Sequence, residues 1–363
     1  MIIGIVSDTH EDKANALPHI MAELKVRGAE YIIHCGDIEP KHLDPKLFGG
    51  LPVICALIEE QVDRDEFRTP PAGWTFTTPG NRVHRIGDML VYVGHKRSFD
   101  FLTGSEAELL ATMDKIRRDN DGLRLMTSGH THHQISCQTR LVNFVNPGAV
   151  ELSFDGYEFA LYDTGKNRTV FTRIPVTTPV IESFAVGVVS DSLNISDLDP
   201  AFWARLRQEF LELNVRHVIH CGNISVKDVG REELGEFEVY YNLRSDQRKS
   251  DAPKNWHLIE PANPVVEINE YRFFVQLDLG ADLNEQSELD LHRVSLNLRR
   301  QYHDIRFILC GFTRPFLEEG EQVRIVNPGY AVRDRSFAVI TLPRAEILFG
   351  QVPVDPLPLL ESR

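Results

Sequence analysis

Residues 1–10, MIIGIVSDTH, join an apolar run directly to a polar one. The segment Ile2–Val6 is short, apolar and rich in β-branched residues, which predicts a buried β-strand. Asp8 and His10 follow it at alternating positions, so their side chains should project the same way. Ligands of open α/β sheets bind beyond the carboxyl ends of the strands, so a site is expected at this end of the strand.

The same arrangement returns about 180 residues later, and other landmarks return with it. Five landmarks recur in the same order: Ser7-Asp8 at Ser190-Asp191, Ile33-His34-Cys35-Gly36-Asp37 at Ile219-His220-Cys221-Gly222-Asn223, Trp74 at Trp256, Gly129-His130-Thr131-His132 at Gly311-Phe312-Thr313-Arg314, and Val145-Asn146-Pro147-Gly148 at Val326-Asn327-Pro328-Gly329. This period is far longer than a solenoid repeat and indicates a domain duplication. We therefore predict two tandem domains, residues 1–178 and 184–355, joined at a Pro/Thr-rich segment, residues 175–179.

Length and composition agree with this division. The chain has 363 residues, and at roughly 150 residues per domain it should form two or three domains. Its net charge of −14 argues against bulk nucleic-acid binding but not against a small anionic substrate at a metal. Five cysteines without a C-x-x-C pair argue against a disulfide framework or a structural zinc site. No apolar run is long enough for a membrane span, so we expect a cytoplasmic protein without membrane contact.

Hydrophobic spacing predicts an α/β fold in both halves. Helices are expected over residues 17–27, 105–118, 202–213 and 289–300. Strands are expected over residues 2–6, 31–34, 53–56, 89–93, 123–127, 142–145, 159–162, 185–189, 272–277 and 305–309. The polar, proline-containing segments 59–82 and 245–264 are predicted to be loops.

Further polar residues follow other predicted strands of the first half. Asp37 comes after the second strand, and His130 and His132 come after a later one. Carboxylates combined with neutral imidazoles suit Mn²⁺, Fe²⁺, Zn²⁺ or Ni²⁺, and we expect one or two such ions per chain. A carboxylate such as Asp37 can bridge two ions about 3.5–4 Å apart. Each motif alone also has a structural interpretation, as a turn or a strand end, but together they favour a metal site.

These motifs resemble the calcineurin-like metallophosphoesterase family, especially its small single-domain phosphodiesterases. The resemblance covers residues 1–178 closely and residues 184–355 more weakly. It implies, for each domain, a two-sheet β-sandwich flanked by helices with metal-binding loops at one end. It further implies that Asp8, His10 and His132 hold one metal, that Asp37 bridges, and that His130 belongs to a second metal. A bridging hydroxide would then attack phosphorus.

Two family motifs are altered in this chain. Where the family has Gly-Asn-His or Gly-Asn-Cys, residues 58–60 are Ile-Glu-Glu. Glu59 is therefore either a substitute ligand or part of a solvated pair with Glu60, which occupies the position of the family's proton donor. Gly94 stands at the position of another ligand, and His95 reaches it only with a one-residue shift.

The second copy has lost the ligand set. Leu193, Asn223, Phe312 and Arg314 stand where the first copy has His10, Asp37, His130 and His132. We expect it to keep the fold without binding metal, as a scaffold, a pseudo-symmetric partner or a lid. Arg314 and Arg244 are candidates for anion binding, with solvated or salt-bridged arginines as the alternative.

Two hypotheses follow. The leading one is a metal-dependent phosphoesterase in residues 1–178 that acts on a small phosphorylated substrate, with a structural or regulatory second domain. The alternative is a catalytically impaired binding or scaffold module with the same fold. The oligomeric state stays open, with a monomer whose two domains pair like a dimer as one possibility.

Overall fold

The computed structural model of the chain describes residues 1–12, 15–95, 106–139, 141–150, 156–175, 182–193, 195, 199–224, 234–242, 252–279, 288–311, 316–319 and 323–353. Strands and helices alternate in both halves of this part of the chain. None of the helices in these ranges is long and apolar enough to cross a membrane.

The first half contains eleven strands and three α-helices within the described residues. In chain order they are β1 Ile2–Val6, α1 Leu17–Val26, β2 Ala29–His34, β3 Val53–Ala56, α2 Glu59–Val62, β4 Trp74–Thr77, β5 Val83–Ile86, β6 Met89–Val93, α3 Glu106–Asp119, β7 Leu123–Thr127, β8 Gln134–Gln138, β9 Asn143–Pro147, β10 Gly156–Asp163 and β11 Arg168–Pro175. Two 3₁₀ turns, Pro40–His42 and Asp65–Phe67, lie between them.

The described part of the second half has the same kinds of elements in a similar order. They are β12 Phe184–Val189, α4 Phe202–Glu212, β13 Val215–His220, β14 Glu238–Tyr241, β15 Trp256–Leu258, β16 Val265–Ile268, β17 Tyr271–Val275, α5 Glu288–Gln301, β18 Ile305–Leu309, β19 Phe316–Glu319, β20 Arg324–Asn327, α6 Ala331–Asp334, β21 Ser336–Leu342 and β22 Glu346–Gln351.

Helix α1 shows how local sequence produces these elements. Its apolar residues recur at helical spacing, and Leu17, Ile20 and Leu24 are buried against the sheet. The Asp12 carboxylate accepts hydrogen bonds from the backbone N–H groups of residues 16 and 17, at 2.7 and 3.1 Å. These N–H groups have no partner within the helix, so Asp12 stabilises its first turn. The helix ends before Gly28, which has a φ of 77°.

Two sheets run through both halves of the molecule. The twelve-stranded sheet has the order β15-β14-β13-β12-β21-β22-β11-β10-β1-β2-β3-β4, and the ten-stranded sheet has the order β16-β17-β18-β20-β19-β8-β9-β7-β6-β5. In each sheet, the strands of one half follow one another inward from one end in the same succession as those of the other half from the other end. In the larger sheet, for example, β15-β14-β13-β12 at one end matches β4-β3-β2-β1 at the other. The halves meet at the antiparallel pairs β11–β22 and β8–β19. The expected two-sheet architecture is therefore present, and both sheets continue from one half into the other.

The main core lies between the two sheets. It is one apolar cluster that contains Ile5 and Val91 from the first half and Val188 and Phe273 from the second. The burial of this surface favours keeping both halves together, because separating them would expose apolar side chains to water.

The predicted helices are confirmed to within one residue at each end, and each predicted strand overlaps a strand of the structure. The prediction that residues 59–82 and 245–264 are loops is wrong, since they contain α2, β4 and β15. Strands β4 and β15 are short strands at the two ends of the larger sheet, where one side alone is paired. Each begins with a buried tryptophan, Trp74 or Trp256. Most of the predicted linker, residues 176–179, lies outside the described residues.

Candidate metal centre

Polar residues meet in the loops that follow β1, β2, β6 and β7. Five of them have left-handed backbone conformations: Asp8 (φ 52°), His10 (40°), Asp37 (56°), His130 (75°) and His132 (59°). A non-glycine residue in this region costs about 1–3 kcal/mol, so such residues persist only where their surroundings hold them in place. Their concentration in three adjacent loops marks this end of the sheets as the candidate site.

The Asp8 carboxylate is at the centre of these loops and is completely buried. Its Oδ2 accepts hydrogen bonds from the Ser7 hydroxyl at 2.6 Å and from the His130 backbone N–H at 2.9 Å. Its Oδ1 is buried without a hydrogen-bond donor among the described residues. One carboxylate oxygen is therefore fixed by the protein, whereas the other needs a positive partner.

Three imidazoles surround Oδ1 of Asp8. The Nε2 atoms of His132, His10 and His95 lie 3.4, 3.9 and 3.9 Å from it. Asp8, His10 and His132 form a partly exposed set, the outer group, whose ligand atoms lie within 4.8 Å of one another. The Nε2 atoms of His10 and His132 are 3.0 Å apart, so their lone pairs can converge on one ion.

A second set, the inner group, consists of Asp8, Asp37 and His95. The Nδ1 of His95 lies 2.9 Å from the Cys35 carbonyl oxygen and must carry the proton to donate to it. Its Nε2 lone pair is therefore free to face Asp8. Gly36, with a φ of 108°, makes this approach possible, because a Cβ there would lie 2.6 Å from the His95 Cβ. The structure thus brings the shifted His95 to the site.

The Asp37 carboxylate connects the two groups. It belongs to the inner group, and its Oδ2 lies 3.4 Å from Nδ1 of His10. Its side chain is 28% exposed, whereas that of Asp8 is fully buried. Asp37 is consequently the carboxylate of this centre that a second ion or a substrate can reach.

Three other predicted site residues lie outside both groups. Glu59 and Glu60 are exposed at the start of α2. His130 donates its backbone N–H to Asp8, and its ring packs against that of His95 with 5.4 Å between ring centroids. The structure therefore places His130 at the site but keeps its imidazole out of the two compact groups.

Gln61 is a buried residue next to the site, and its supporting role was not predicted from the sequence. Its amide nitrogen donates to the Ile38 carbonyl at 2.7 Å, and its amide oxygen accepts from the Ile58 N–H at 3.2 Å. The side chain is buried and ties α2 to the residue that follows Asp37. Its position as the third residue of the helix after Ile58 fits an N-terminal capping pattern, which was the available signal.

The ionisation states also favour a cation at Oδ1. Burial alone raises the pKa of Asp8, but the proximity of His132 and His95 and the Ser7 hydroxyl outweigh it, so the pKa lies below its usual value. Asp8 is then ionised at neutral pH. A buried carboxylate beside several imidazoles is a donor set for a divalent transition metal, which fits an Oδ1 that lacks a donor among the described residues.

The buried His34 holds the backbone around Asp37 in place through hydrogen bonds. Burial lowers its pKa to about 3, so the ring is neutral. Its Nδ1 accepts from the Gly36 N–H at 3.2 Å, which leaves Nε2–H to donate to the Thr9 hydroxyl at 3.3 Å. The Thr9 hydroxyl in turn lies 3.4 Å from the Asp37 carbonyl oxygen. This chain of hydrogen bonds fixes the backbone on which Asp37 lies.

The part of the chain that carries both groups is similar to a known family of domains. Residues 1–167 match the calcineurin-like phosphoesterase superfamily domain. Asp8, His10, Asp37, His95 and His132 all lie within the matched residues.

Two curated relatives and one solved structure are similar to part of this chain. A probable metallophosphoesterase of Methanothermobacter thermautotrophicus is 26% identical over 150 residues, which are 41% of this chain and 77% of the relative. A probable metallophosphoesterase of Methanocaldococcus jannaschii is 25% identical over 150 residues, which are 41% of this chain and 68% of the relative. Among solved structures, an archaeal phosphodiesterase is 18% identical with a TM-score of 0.35, and the match covers 48% of this chain and 100% of that one.

The equivalent place in the second half has the same backbone with other side chains. Asp191 and Asn223 have φ values of 51° and 59°, close to those of Asp8 and Asp37. Leu277 packs against Gly222 as His95 does against Gly36. The positions of Phe312, Arg314 and Arg244 lie outside the described residues.

Proposed function

We propose that the first domain, residues 1–178, hydrolyses phosphoesters at a divalent-metal centre built from the outer and inner groups. The observation that carries this proposal is the buried Oδ1 of Asp8, which lacks a donor among the described residues and faces three imidazole Nε2 atoms. The two relatives named probable metallophosphoesterases support it.

In this proposal Asp8, His10 and His132 would hold the first ion, and Asp37 and His95 would be ligands of a second one. A bound divalent ion lowers the pKa of a bound water to about 7 and neutralises the phosphoryl oxygens. Asp37, being partly exposed, orients the nucleophile toward the substrate. Mn²⁺, Fe²⁺, Zn²⁺ and Ni²⁺ all suit this donor set.

Three residues keep more distant roles in the proposal. His130 is the proposed additional ligand of a second ion, because its ring packs against His95. Glu59 is the proposed carboxylate ligand of that second ion, and Glu60 is the proposed proton donor. Both are exposed at the start of α2, next to the buried Gln61. We propose a small phosphorylated compound as substrate, since the chain carries a net charge of −14 and the positive charge would come from the metal.

For residues 184–355 we propose a tandem copy of the same fold that no longer binds metal. The mirrored strand orders of both sheets support the duplication. Leu193 and Leu277 stand where the first half has His10 and His95, and aliphatic side chains cannot coordinate a metal. We also propose that the chain is a monomer, since its two halves already pair edge to edge as a dimer would.

The test is hydrolysis of bis-p-nitrophenyl phosphate with added Mn²⁺ by wild type, His132→Ala and His19→Ala. His19 is exposed on α1 and serves as the matched control. Wild type and His19→Ala should hydrolyse the ester, and His132→Ala should lose at least tenfold because the outer group loses a ligand. Equal rates in wild type and His132→Ala would refute the enzymatic proposal.

A catalytically impaired binding or scaffold module is the second candidate. One observation favours it: Glu59, the proposed replacement for a family ligand, is exposed and lies outside both compact groups. Metal content of the purified chain separates the two candidates. Two ions per chain favour the enzyme, whereas zero or one favours the module.

A further inference from the structure

The loop that carries His130 and His132 leads directly into the boundary between the two halves. Gln134, the first residue of β8, is fully buried there. Its amide nitrogen lies 3.3, 3.2 and 3.0 Å from three carbonyl oxygens, those of Pro147, Phe159 and Thr172. These carbonyls belong to β9, β10 and β11, so one side chain joins the smaller sheet to the larger one.

The other end of the Gln134 amide is bound by the second half. The guanidinium of Arg324, the first residue of β20, donates to Oε1 of Gln134 and to the carbonyl oxygen of Ala345. Arg324 is itself buried. A hydrogen bond from a charged donor is about twice as strong as a neutral one, and losing it inside the core leaves polar groups unsatisfied.

Resting on the proposed function, we propose that Arg324 is a positioning residue for the metal centre: through Gln134 it holds the start of β8, and thereby the loop of residues 129–132, so that His132 faces Asp8. The second half then has a defined task in the chemistry of the first. It supplies an anchor for the ligand-bearing loop without touching the metal.

The geometry of the loop explains why an anchor at this point matters. His130 and His132 both have positive φ, which is strained for residues with a side chain. Within the first half the loop is held by Asn146, whose amide nitrogen donates to the Gly129 carbonyl at 2.9 Å and lies 3.0 Å from the Thr131 hydroxyl. Gln134 and Arg324 hold the opposite end. With both ends fixed, the strained conformation between them can persist.

The first measurement needs no metal. Hydrogen exchange by mass spectrometry is compared in metal-free wild type, Arg324→Met, Arg324→Lys and Arg27→Met. Arg27 is the control, because it also bridges the halves, by an ion pair with Glu346. Arg27 directly follows α1 and Glu346 begins β22, away from the loop. Amides of residues 128–138 should exchange about tenfold faster in Arg324→Met, remain near wild type in Arg27→Met, and be partly restored in Arg324→Lys, which keeps a cationic donor.

Three outcomes decide the positioning role. Unchanged exchange of residues 128–138 in Arg324→Met overturns it, and so does an equal acceleration throughout the chain, which would indicate general destabilisation. If Arg324→Met does not fold, the comparison of Arg324→Lys with Arg27→Met decides: faster exchange confined to residues 128–138 in Arg324→Lys supports the role, and no such change overturns it.

The second measurement connects the loop to the metal. Co²⁺ is titrated into the same full-length proteins and followed by its visible absorption. The dissociation constant should rise about tenfold in Arg324→Met and stay within twofold of wild type in Arg27→Met, since residues that orient ligands typically affect metal affinity 10–100-fold. An unchanged affinity in Arg324→Met overturns the inference. Failure of wild type to bind Co²⁺ refutes the proposed function instead, while the exchange result still decides whether Arg324 positions the loop.

Discussion

Asp8 and Asp191 each follow the first strand of their half, β1 or β12. One carboxylate oxygen of each accepts the same kind of hydrogen bond. Oδ2 accepts from the preceding serine hydroxyl, at 2.6 Å from Ser7 and at 2.9 Å from Ser190. The other oxygen differs. Oδ1 of Asp8 has no donor among the described residues, whereas Oδ1 of Asp191 accepts from the Asn223 amide at 3.0 Å.

Under the proposed duplication, this is the difference that loss of a metal site with a retained backbone would produce. Leaving a buried carboxylate oxygen without a donor costs about 1–3 kcal/mol or more, and in the first half a bound cation would remove that cost. In the second half an amide removes it within the protein. One substitution, aspartate to asparagine at the position of Asp37 and Asn223, supplies the donor and deletes a ligand at once. The left-handed φ values are unchanged by it.

The largest expected effect is one that the two halves share. Burial lowers the pKa of both His34 and His220 to about 3. Because the folded-state pKa is lower than the unfolded value of about 6.5, the unfolded chain binds the extra proton first as the pH falls. Stability should therefore fall from pH 6.5 downward, by on the order of 1 kcal/mol per pH unit for each histidine, and level off near pH 3.

Urea unfolding between pH 7 and 4.5 measures this effect. His34→Gln and His220→Gln should each reduce the pH dependence by a similar amount, because each eliminates one histidine whose pKa burial lowers to about 3. If one variant reduced the pH dependence of unfolding much more than the other, the two histidines would not have equivalent surroundings in the two halves.

The next effect converts the first site into the second. Asp37→Asn should let the new amide donate to Oδ1 of Asp8, as Asn223 does to Asp191. Metal-free protein should then be stabilised by about 1–2 kcal/mol, because a hydrogen bond to a charged group is gained, while Mn²⁺ affinity falls about 100-fold. Unfolding in EDTA and equilibrium dialysis with Mn²⁺ measure the two quantities.

Its matched control is Asn223→Ala, which removes the donor to Asp191 Oδ1. It should destabilise the chain by about 1–3 kcal/mol and leave Mn²⁺ affinity unchanged. A metal-free Asp37→Asn protein that is less stable than wild type would contradict our reading of Oδ1 as the unsatisfied atom of the first site.

The smallest effect concerns the two serines. Ser7→Ala and Ser190→Ala each remove one hydroxyl donor to Oδ2, and each should cost about 1 kcal/mol of stability. Ser7→Ala alone should weaken Mn²⁺ binding, several-fold, because Asp8 Oδ2 then keeps the His130 N–H while losing the hydroxyl that fixes the carboxylate. Isothermal titration with Mn²⁺ and urea unfolding test the pair. Equal Mn²⁺ affinities for the two variants would show that the Ser7 hydroxyl does not contribute to metal binding by Asp8.

The sequence predicts those site residues that lie at strand ends. Asp8, His10, Asp37 and His132 follow strands whose apolar patterns are clear, and parallel strands bring their carboxyl ends together. The role of His95 was harder to predict from the sequence, because its position depends on the space that Gly36 leaves and on a hydrogen bond to the Cys35 carbonyl. Neither is a local property of the segment around His95.

The contacts between distant segments were out of reach of pattern analysis. Arg324 and Gln134 are 190 residues apart in the sequence, and hydrophobic periodicity cannot predict a hydrogen bond between them. The short edge strands β4 and β15 were missed for a related reason. Their three or four residues are too few for a recognisable alternation, and what fixes them is pairing with a neighbouring strand.

The central claim is that one half holds metal and its counterpart does not. Anomalous diffraction from crystals grown with Mn²⁺, recorded near the manganese absorption edge, tests it most directly. We predict an anomalous peak among Asp8, His10 and His132 and none among Asp191, Leu193 and Asn223. The absence of a peak at Asp8, or a peak of equal height at Asp191, would contradict the account.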